Sequence, residues 1–176
     1  MDLETINVEK IEKVAIIKLN RPELLNAVNE QLVWDFQKAT ESVKNDESIR
    51  VVIITGSGRG FSAGADLSER KASWKGSKDA LMRGYKPFFE NITSMPKPVI
   101  GAIAGPAAGI GAAIAMSCDL RVMSDDSYIL SVFSNIALVP DGGLSCYLPK
   151  FMGFAKEYEH SIEAKKISAQ ECLKYG

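Results

Sequence analysis

The stretch that decides the fold is residues 98–119, PVIGAIAGPAAGIGAAIAMSCD. It begins as a short β-branched run, passes through glycines and continues as an alanine-rich segment, which predicts a strand, a turn and a helix. Few of its side chains carry a reactive group. Its chemistry must come from unpaired backbone N–H groups at the positive end of the helix dipole. The stretch therefore predicts an oxyanion site that needs an acid or base from elsewhere, and Asp141, in VPDGG at 139–143, is the candidate.

The composition is that of one globular domain covering residues 1–176. A net charge of −1 and scattered basic residues argue against a nucleic acid or an anionic membrane as partner. The N-terminus lacks an apolar signal core and no apolar run reaches membrane-spanning length, so we expect a cytoplasmic protein, with the peroxisomal and mitochondrial matrix left open. The cysteines are odd in number and have no metal-ligand spacing, which predicts reduced thiols and no metal site; they are Cys118, Cys146 and Cys172.

The remaining pattern alternates strand pairs with helices, which predicts an α/β fold. Asn29 is the expected N-cap of the first helix, and Pro87 is expected to bend the second. The polar stretch 68–79 predicts mobile surface. Strands are predicted at 5–8, 14–19, 51–54 (buried on both faces), 99–104, 119–123 and 128–130, and further helices at 80–92, 151–166 and 168–175.

Two glycine loops and the single histidine do not match the motifs of nucleotide-binding proteins, of most serine hydrolases or of histidine metal sites. The loop GSGRG at 56–60 lacks the P-loop ending and the GxGxxG spacing, and 105–111 lacks a lysine and an acidic ribose partner. The chain has no GxSxG elbow and only His160, which excludes most Ser-His-Asp hydrolases and histidine metal sites. His160 lies among glutamates and is predicted to be exposed on a polar helix.

Several motifs, in one order along nearly the whole chain, resemble the crotonase (enoyl-CoA hydratase/isomerase) superfamily. They are NRP at 20–22 with NA at 26–27, FSAGADL at 61–67, KPVI at 97–100, the run 105–119 and VPDGG at 139–143. The resemblance implies a spiral of ββα units, an acyl-CoA thioester substrate of fatty acid metabolism and no cofactor beyond the CoA of that substrate. It also implies a homotrimer or a dimer of trimers. The chain stops at Gly176 after a predicted helix, so we expect the C-terminal helical trimerisation region of the family to be missing, through a fragment or a disordered tail.

The resemblance assigns the oxyanion hole to the backbone N–H groups of Ala65 and Ile110. Two such donors in a dry site stabilise developing negative charge, and small neighbours let the backbone come close. The alternative is that the glycines serve only tight turns. Asp66 is expected to cap a following helix rather than to do chemistry. The substrate-binding residues that the resemblance implies are Ala63, Gly64, Ala65, Asp66, Leu67, Gly109, Ile110 and Phe133.

The carboxylates favour an isomerase over a hydratase. Hydratases of the family use two glutamates to add water, and the corresponding positions here are Ala113 and Phe133, which cannot transfer a proton. Asp141 remains, and an acidic residue follows the proline in Δ3,Δ2-enoyl-CoA isomerases and in the ring-epoxide isomerases of phenylacetyl-CoA breakdown. One carboxylate suffices to take a proton from C2 and return it to C4. Its pKa would be raised by an apolar pocket, for which the candidates are Phe133, Ile136, Leu138 and Val139.

Three alternatives stay open at this stage. The protein could be a hydratase with proton-transfer groups at unusual positions. It could be a non-catalytic acyl-CoA-binding protein with a silent Asp141. From the pattern alone, Asp141 is also a standard turn residue in Pro-Asp-Gly.

Overall fold

The computed structural model describes residues 2–69 and 73–176. The strands in this part of the chain are β1 (Ile6–Ile11), β2 (Val14–Leu19), β3 (Val51–Gly56), β4 (Val99–Ile103), β5 (Pro106–Ala108), β6 (Leu120–Met123), β7 (Tyr128–Leu130) and β8 (Lys166–Ser168). The helices are α1 (Glu30–Asn45), α2 (Ser77–Asp79), α3 (Lys86–Thr93), α4 (Ile110–Ser117), α5 (Leu144–Met152), α6 (Phe154–Glu163) and α7 (Ala169–Tyr175). A π-helical turn covers Ala80–Tyr85, and short 3-10 turns cover Pro22–Leu24 and Phe133–Ile136.

The strands form two sheets that rise as a spiral of ββα units, which confirms the predicted α/β class. The larger sheet has the order β1-β2-β3-β4-β6, and only the β1–β2 hairpin in it is antiparallel. The smaller sheet has the order β5-β7-β8. Because β3 and β4 are parallel neighbours, the segments that leave their carboxyl ends start side by side.

Helix α1 anchors the larger sheet and begins where the sequence predicts. The Asn29 side chain accepts a hydrogen bond from the Leu32 N–H at 3.0 Å, which caps the helix. Phe36, on the buried face, is fully enclosed. Asp35 is also fully buried, and its carboxylate accepts hydrogen bonds from the N–H groups of Glu4 and Thr5, each at 2.9 Å. This carboxylate therefore holds the start of the hairpin against α1.

Several predicted elements differ from the structure for local reasons. Strand β3 is buried on one face only, and its alternate side chains are half-buried. The predicted helix 151–166 is interrupted, because Gly153 has φ +78°, in the left-handed region: residues 151–152 end α5, α6 follows, and Lys166 begins β8. The sequence missed β5, which opens with a proline that has no N–H for a ladder. Of the stretch predicted to be mobile, residues 70–72 lie outside the described chain, whereas Trp74 packs 5.3 Å from the Trp34 ring.

The predicted bend at Pro87 takes the form of the π-helical turn Ala80–Tyr85 immediately before α3. Pro87 has no N–H to give to the Arg83 carbonyl, four residues earlier. The Gln37 side-chain amide replaces it, donating to the carbonyl oxygens of Arg83 at 3.0 Å and Gly84 at 2.6 Å. A Cβ on Gly84 would lie 2.9 Å from the indole ring of Trp74, so the turn packs tightly from both sides.

A helix that crosses a membrane needs a long apolar stretch. None of the helices in residues 2–69 and 73–176 is long and apolar enough to cross a membrane.

Removing the α1 cap tests this account of the helix. Asn29→Ala is expected to lower the free energy of unfolding by about 1 kcal/mol, because the Leu32 N–H loses its acceptor. Chemical denaturation measures the change. The matched control, Asn7→Ala, removes an exposed asparagine of β1 and is expected to change stability by less than about 0.5 kcal/mol. Equal effects of the two substitutions would contradict the capping role.

Candidate active site

Two glycine-containing segments run side by side at the carboxyl ends of β3 and β4. The Ser62 N–H donates to the Pro106 carbonyl oxygen at 3.0 Å, and the Ala108 N–H donates to the Ser62 carbonyl oxygen at 2.9 Å. A Cβ on Gly64 would lie 2.9 Å from the Ala108 oxygen and 3.6 Å from the Gly109 Cα. Only glycine permits this approach, and the structure thus brings together the two segments from which the sequence predicts an oxyanion hole.

Ala65 and Ile110, the residues that follow these glycines, each present an unpaired N–H. Ala65 is framed by two hydrogen bonds, from the Val28 N–H to the Gly64 oxygen at 2.8 Å and from the Asp66 N–H to the Val28 oxygen at 3.0 Å. Ile110 is the first residue of α4, where N–H groups lack intrahelical acceptors. Within residues 2–69 and 73–176, neither N–H has a hydrogen-bond acceptor, so both can bind an incoming oxygen.

Asn26 fixes the loop that carries Ala65, a role that sequence reasoning missed. Asn26 is fully buried, and its amide donates to the carbonyl oxygens of Ser57 at 3.0 Å and Gly60 at 2.8 Å. Its side-chain oxygen accepts from the Arg21 N–H at 2.9 Å, and its backbone oxygen accepts from the Ser62 hydroxyl at 2.8 Å. The only sequence signal was its place in the NRP–NA motif, which says nothing about partners that are remote along the chain.

Asp66 holds the other end of this loop, and the predicted helix-capping role is wrong. Its carboxylate pairs with the Arg21 guanidinium at 2.9 Å and accepts hydrogen bonds from the N–H and hydroxyl of Ser68. Residues 67 and 68 form a turn, not the start of a helix. The Ser68 hydroxyl, and after it Arg21, hold the pKa of Asp66 below its ordinary value. Both carboxylate oxygens are therefore used in anchoring the loop.

Asp141 lies in a turn that packs over the first turn of α4. A Cβ on the adjacent Gly142 would lie 2.7 Å from the Ala113 Cβ, 2.9 Å from the Phe89 ring and 3.0 Å from the Ile110 Cδ1. The Oδ1 atom of Asp141 is buried and has no hydrogen-bond partner in the described chain. Burial raises the pKa of the Asp141 carboxyl above its ordinary value. The turn therefore holds a carboxyl oxygen with no partner next to Gly142, the residue that contacts the first turn of α4.

The pocket around Asp141 differs from the predicted one. Phe133 is buried, but Ile136, Leu138 and Val139 are exposed. Ala137, with φ +57° in the left-handed region, ends the 3-10 turn, and Leu138 and Val139 after it are exposed to solvent. Phe89 and the first turn of α4 contact the next residue, Gly142.

The remaining predicted binding residues divide between buried and exposed positions. Gly64, Gly109 and Ile110 are buried, whereas Ala63, Ala65 and Leu67 are exposed beside them. This is the arrangement that an open groove with a buried floor would have. Their contact with a substrate stays a prediction.

His160 is buried, so its predicted exposure on a polar helix surface is wrong. The neighbouring Glu157 and Ser161 are buried as well, and the Ser161 hydroxyl donates to Glu157 at 2.8 Å. Of the glutamates around His160, Glu157 shares the inward face of α6 with it, whereas Glu159 and Glu163 are not buried and pair with Lys165. Within the described residues, no group of three or more His, Cys, Asp or Glu side chains is arranged to hold a metal.

A separate cavity of about 390 Å³ lies near the end of the described chain. Met116, Met152, Ile167 and Leu173 are among its lining residues. None of the predicted site residues lines this cavity, so the cavity is separate from the site at Asp141 and the contact between Gly64 and Gly109.

Ionisation of Asp141 should oppose folding. Because the folded protein raises the pKa of this carboxyl, its charged form is disfavoured at neutral pH, and the effect vanishes once the carboxyl is protonated in both states. Asp141→Asn is therefore expected to unfold at higher denaturant concentration than wild type at pH about 7, with the gap closing towards pH about 3. The control is Asp125→Asn, at an exposed carboxylate. A less stable Asp141→Asn at neutral pH would contradict the conclusion that burial disfavours the charged carboxyl.

Comparisons with known proteins identify the family. A sequence model of the enoyl-CoA hydratase/isomerase family matches residues 9–176. The chain is 34% identical over 171 residues to the 1,2-epoxyphenylacetyl-CoA isomerase of Escherichia coli, covering 94% of this chain and 65% of that protein. It is 34% identical over 179 residues to the short-chain-enoyl-CoA hydratase of Clostridium acetobutylicum, covering 100% of this chain and 68% of that one.

The fold comparison gives the same result. The crystal structure of enoyl-CoA hydratase from Bacillus anthracis superposes with a TM-score of 0.90 at 30% identity, covering 98% of this chain and 68% of that one. The chain thus spans about two thirds of the length of these relatives. The match of the family model over nearly the whole chain, together with the crotonase-like fold, shows that the chain belongs to the enoyl-CoA hydratase/isomerase family.

Proposed function

We propose that this protein is an enoyl-CoA isomerase that moves a double bond from C3–C4 to C2–C3 of an acyl-CoA thioester. The observation that carries the proposal is that two free N–H groups, at Ala65 and Ile110, lie on segments in contact, and that the turn over α4 holds one buried, unpartnered oxygen of the Asp141 carboxyl. CoA enters as part of the substrate, and the reaction requires no further cofactor.

The two N–H groups would hold the thioester oxygen. When a proton leaves C2, negative charge develops on that oxygen, and each aligned donor stabilises it by about 3 kcal/mol. The N-terminus of α4 adds the positive end of its dipole at the same place. Because neither N–H must break a protein hydrogen bond, the donors are ready before the reaction starts.

Asp141 would move the proton. Its carboxylate takes the proton from C2, and the C–H bonding electrons enter a dienolate that extends to the thioester oxygen. The electrons then form the C–H bond at C4 as Asp141 returns the proton, leaving a double bond between C2 and C3. No water is consumed, and the carboxyl ends in the state in which it began. A carboxyl whose pKa burial has raised is a stronger base than an exposed aspartate.

A hydratase is the second candidate, supported by the relative from Clostridium acetobutylicum that bears that name. Addition of water needs a base for the water and an acid for Cα, and the two positions that the family resemblance assigns to them hold Ala113 and Phe133, both buried. The E. coli relative is named an isomerase at the same identity. The single carboxyl at Asp141 favours the isomerase. A non-catalytic acyl-CoA-binding protein would bind thioesters without turnover.

Turnover assays on the full-length protein separate these functions. We expect conversion of a 3-enoyl-CoA to its 2-enoyl isomer by wild type, with little hydration of crotonyl-CoA. Asp141→Asn should lower isomerisation by at least about 100-fold, because the amide cannot accept the proton. Asp125→Asn, which removes an exposed carboxylate, is the matched control and should retain activity.

Two results would overturn the proposal. Substantial hydration that does not change in Asp141→Asn would identify a hydratase with other proton-transfer groups. Tight binding of the thioester without turnover of either substrate would identify a binding protein. The homotrimeric assembly and the cytoplasmic location implied at the sequence level stay predictions, to be tested by sedimentation and by fractionation.

A further inference from the structure

The Tyr85 hydroxyl is a polar group within range of the Asp141 charge that the proposed reaction does not use. Tyr85 closes the π-helical turn and is half-buried, with its ring packed edge-on against Phe88 at 5.8 Å between ring centres. Within residues 2–69 and 73–176, no hydrogen bond involves this hydroxyl, and it is not one of the fully buried polar atoms that lack a partner. An amphipathic side chain at such a place normally finds a partner for its polar end.

Helix geometry and charge both place Tyr85 near Asp141. Phe89 lies one helical turn beyond Tyr85 on the same face, and the Phe89 ring contacts the position of Gly142. Burial raises the pKa of Tyr85 to about 12, and the negative charges of Asp141 and Glu69 contribute to that rise. The phenol therefore stays protonated over the whole working range and acts as a donor.

The turn that carries Tyr85 is held in place on both sides. The Gln37 amide binds the carbonyl oxygens of Arg83 and Gly84, and the Trp74 ring lies against Gly84. π-helical turns are uncommon and are found frequently at functional sites. A donor on so constrained a backbone is pre-organised, which is what selective recognition of a ligand atom requires.

We propose that Tyr85 is a specificity-determining residue whose hydroxyl donates a hydrogen bond to an oxygen atom on the acyl chain, so that the preferred substrate carries a carbonyl, hydroxyl or ring oxygen beyond C2. This rests on the proposed function, since it takes the same groove to hold an acyl-CoA. A pure hydrocarbon chain would cover the hydroxyl without giving it an acceptor, which costs about 1–3 kcal/mol. A site whose donor the bound chain covers selects against ligands that lack the matching oxygen.

Equilibrium binding to the full-length protein tests the inference without depending on catalysis. The probes are hexanoyl-CoA, 4-oxohexanoyl-CoA and 5-oxohexanoyl-CoA, which have no carbon–carbon double bond in the acyl chain for an isomerase to move. Wild type is expected to bind at least one oxo compound about tenfold more tightly than hexanoyl-CoA, and Tyr85→Phe should abolish that preference. Tyr147→Phe removes another half-buried tyrosine hydroxyl, on α5, and should leave the preference intact.

The ratio of affinities between the oxo compounds and hexanoyl-CoA tests the role of Tyr85 independently of the turnover assays. Equal affinity of wild type for all three compounds, or a preference that survives Tyr85→Phe, would overturn it. So would a loss of affinity that is equal for all three, because that is the result of a merely structural tyrosine. Failure of the isomerase assay leaves these ratios unaffected, and isomerisation without an oxygen preference would refute only the role of Tyr85.

Discussion

The contact of two backbones at Gly64 and Gly109 is the constraint on which the rest of the site depends. The segment after β3 runs beside β5 closely enough that a side chain at Gly64 would meet the Ala108 carbonyl oxygen. A Cβ on Gly111 would lie 2.6 Å from the Ser62 Cβ, so the first turn of α4 is pressed against the same segment. This approach holds the segments that carry the Ala65 and Ile110 N–H groups against each other, and neither N–H has an acceptor in the described residues.

The arrangement of the two sheets produces this contact. Parallel pairing of β3 with β4 delivers the two segments to one edge of the sheet, and the paired bridge between Ser62 and Ala107 extends the smaller sheet up to it. The buried Asn26 amide and the Arg21–Asp66 ion pair then fix the first segment from the side of the hairpin. None of these groups is placed to react with a thioester. Their effect is pre-organisation, which makes electrostatic stabilisation by backbone donors effective.

The sequence predicted the parts of the fold that depend on residues close together along the chain. Its predictions failed where contacts between residues far apart along the chain determine the structure. The N-cap at Asn29 and the apolar spacing of α1 depend on neighbours within one turn, so the sequence predicted that helix correctly. The burial of His160, the pairing of Asp66 with Arg21 and the π-helical turn held by Gln37 depend on residues far along the chain, and no local pattern contains them. At the site, the approach of Ala65 and Ile110 was implied by family resemblance. The apolar residues near Asp141 were misplaced because a polar-apolar pattern does not say which way an irregular segment turns.

The central claim is that the N–H groups of Ala65 and Ile110 bind a thioester oxygen. Infrared difference spectroscopy of hexanoyl-CoA labelled with ¹³C at the thioester carbonyl tests this directly, because hydrogen bonds to that oxygen weaken the carbonyl bond. When the thioester is bound to the full-length protein, the labelled carbonyl band is expected at lower wavenumber than that of the free thioester in a water-excluding solvent. The shift should be equal in wild type and in Asp141→Asn, because backbone donors need no carboxylate. A bound carbonyl that absorbs at the same wavenumber as the free thioester in water-excluding solvent would contradict the oxyanion hole and the mechanism that depends on it.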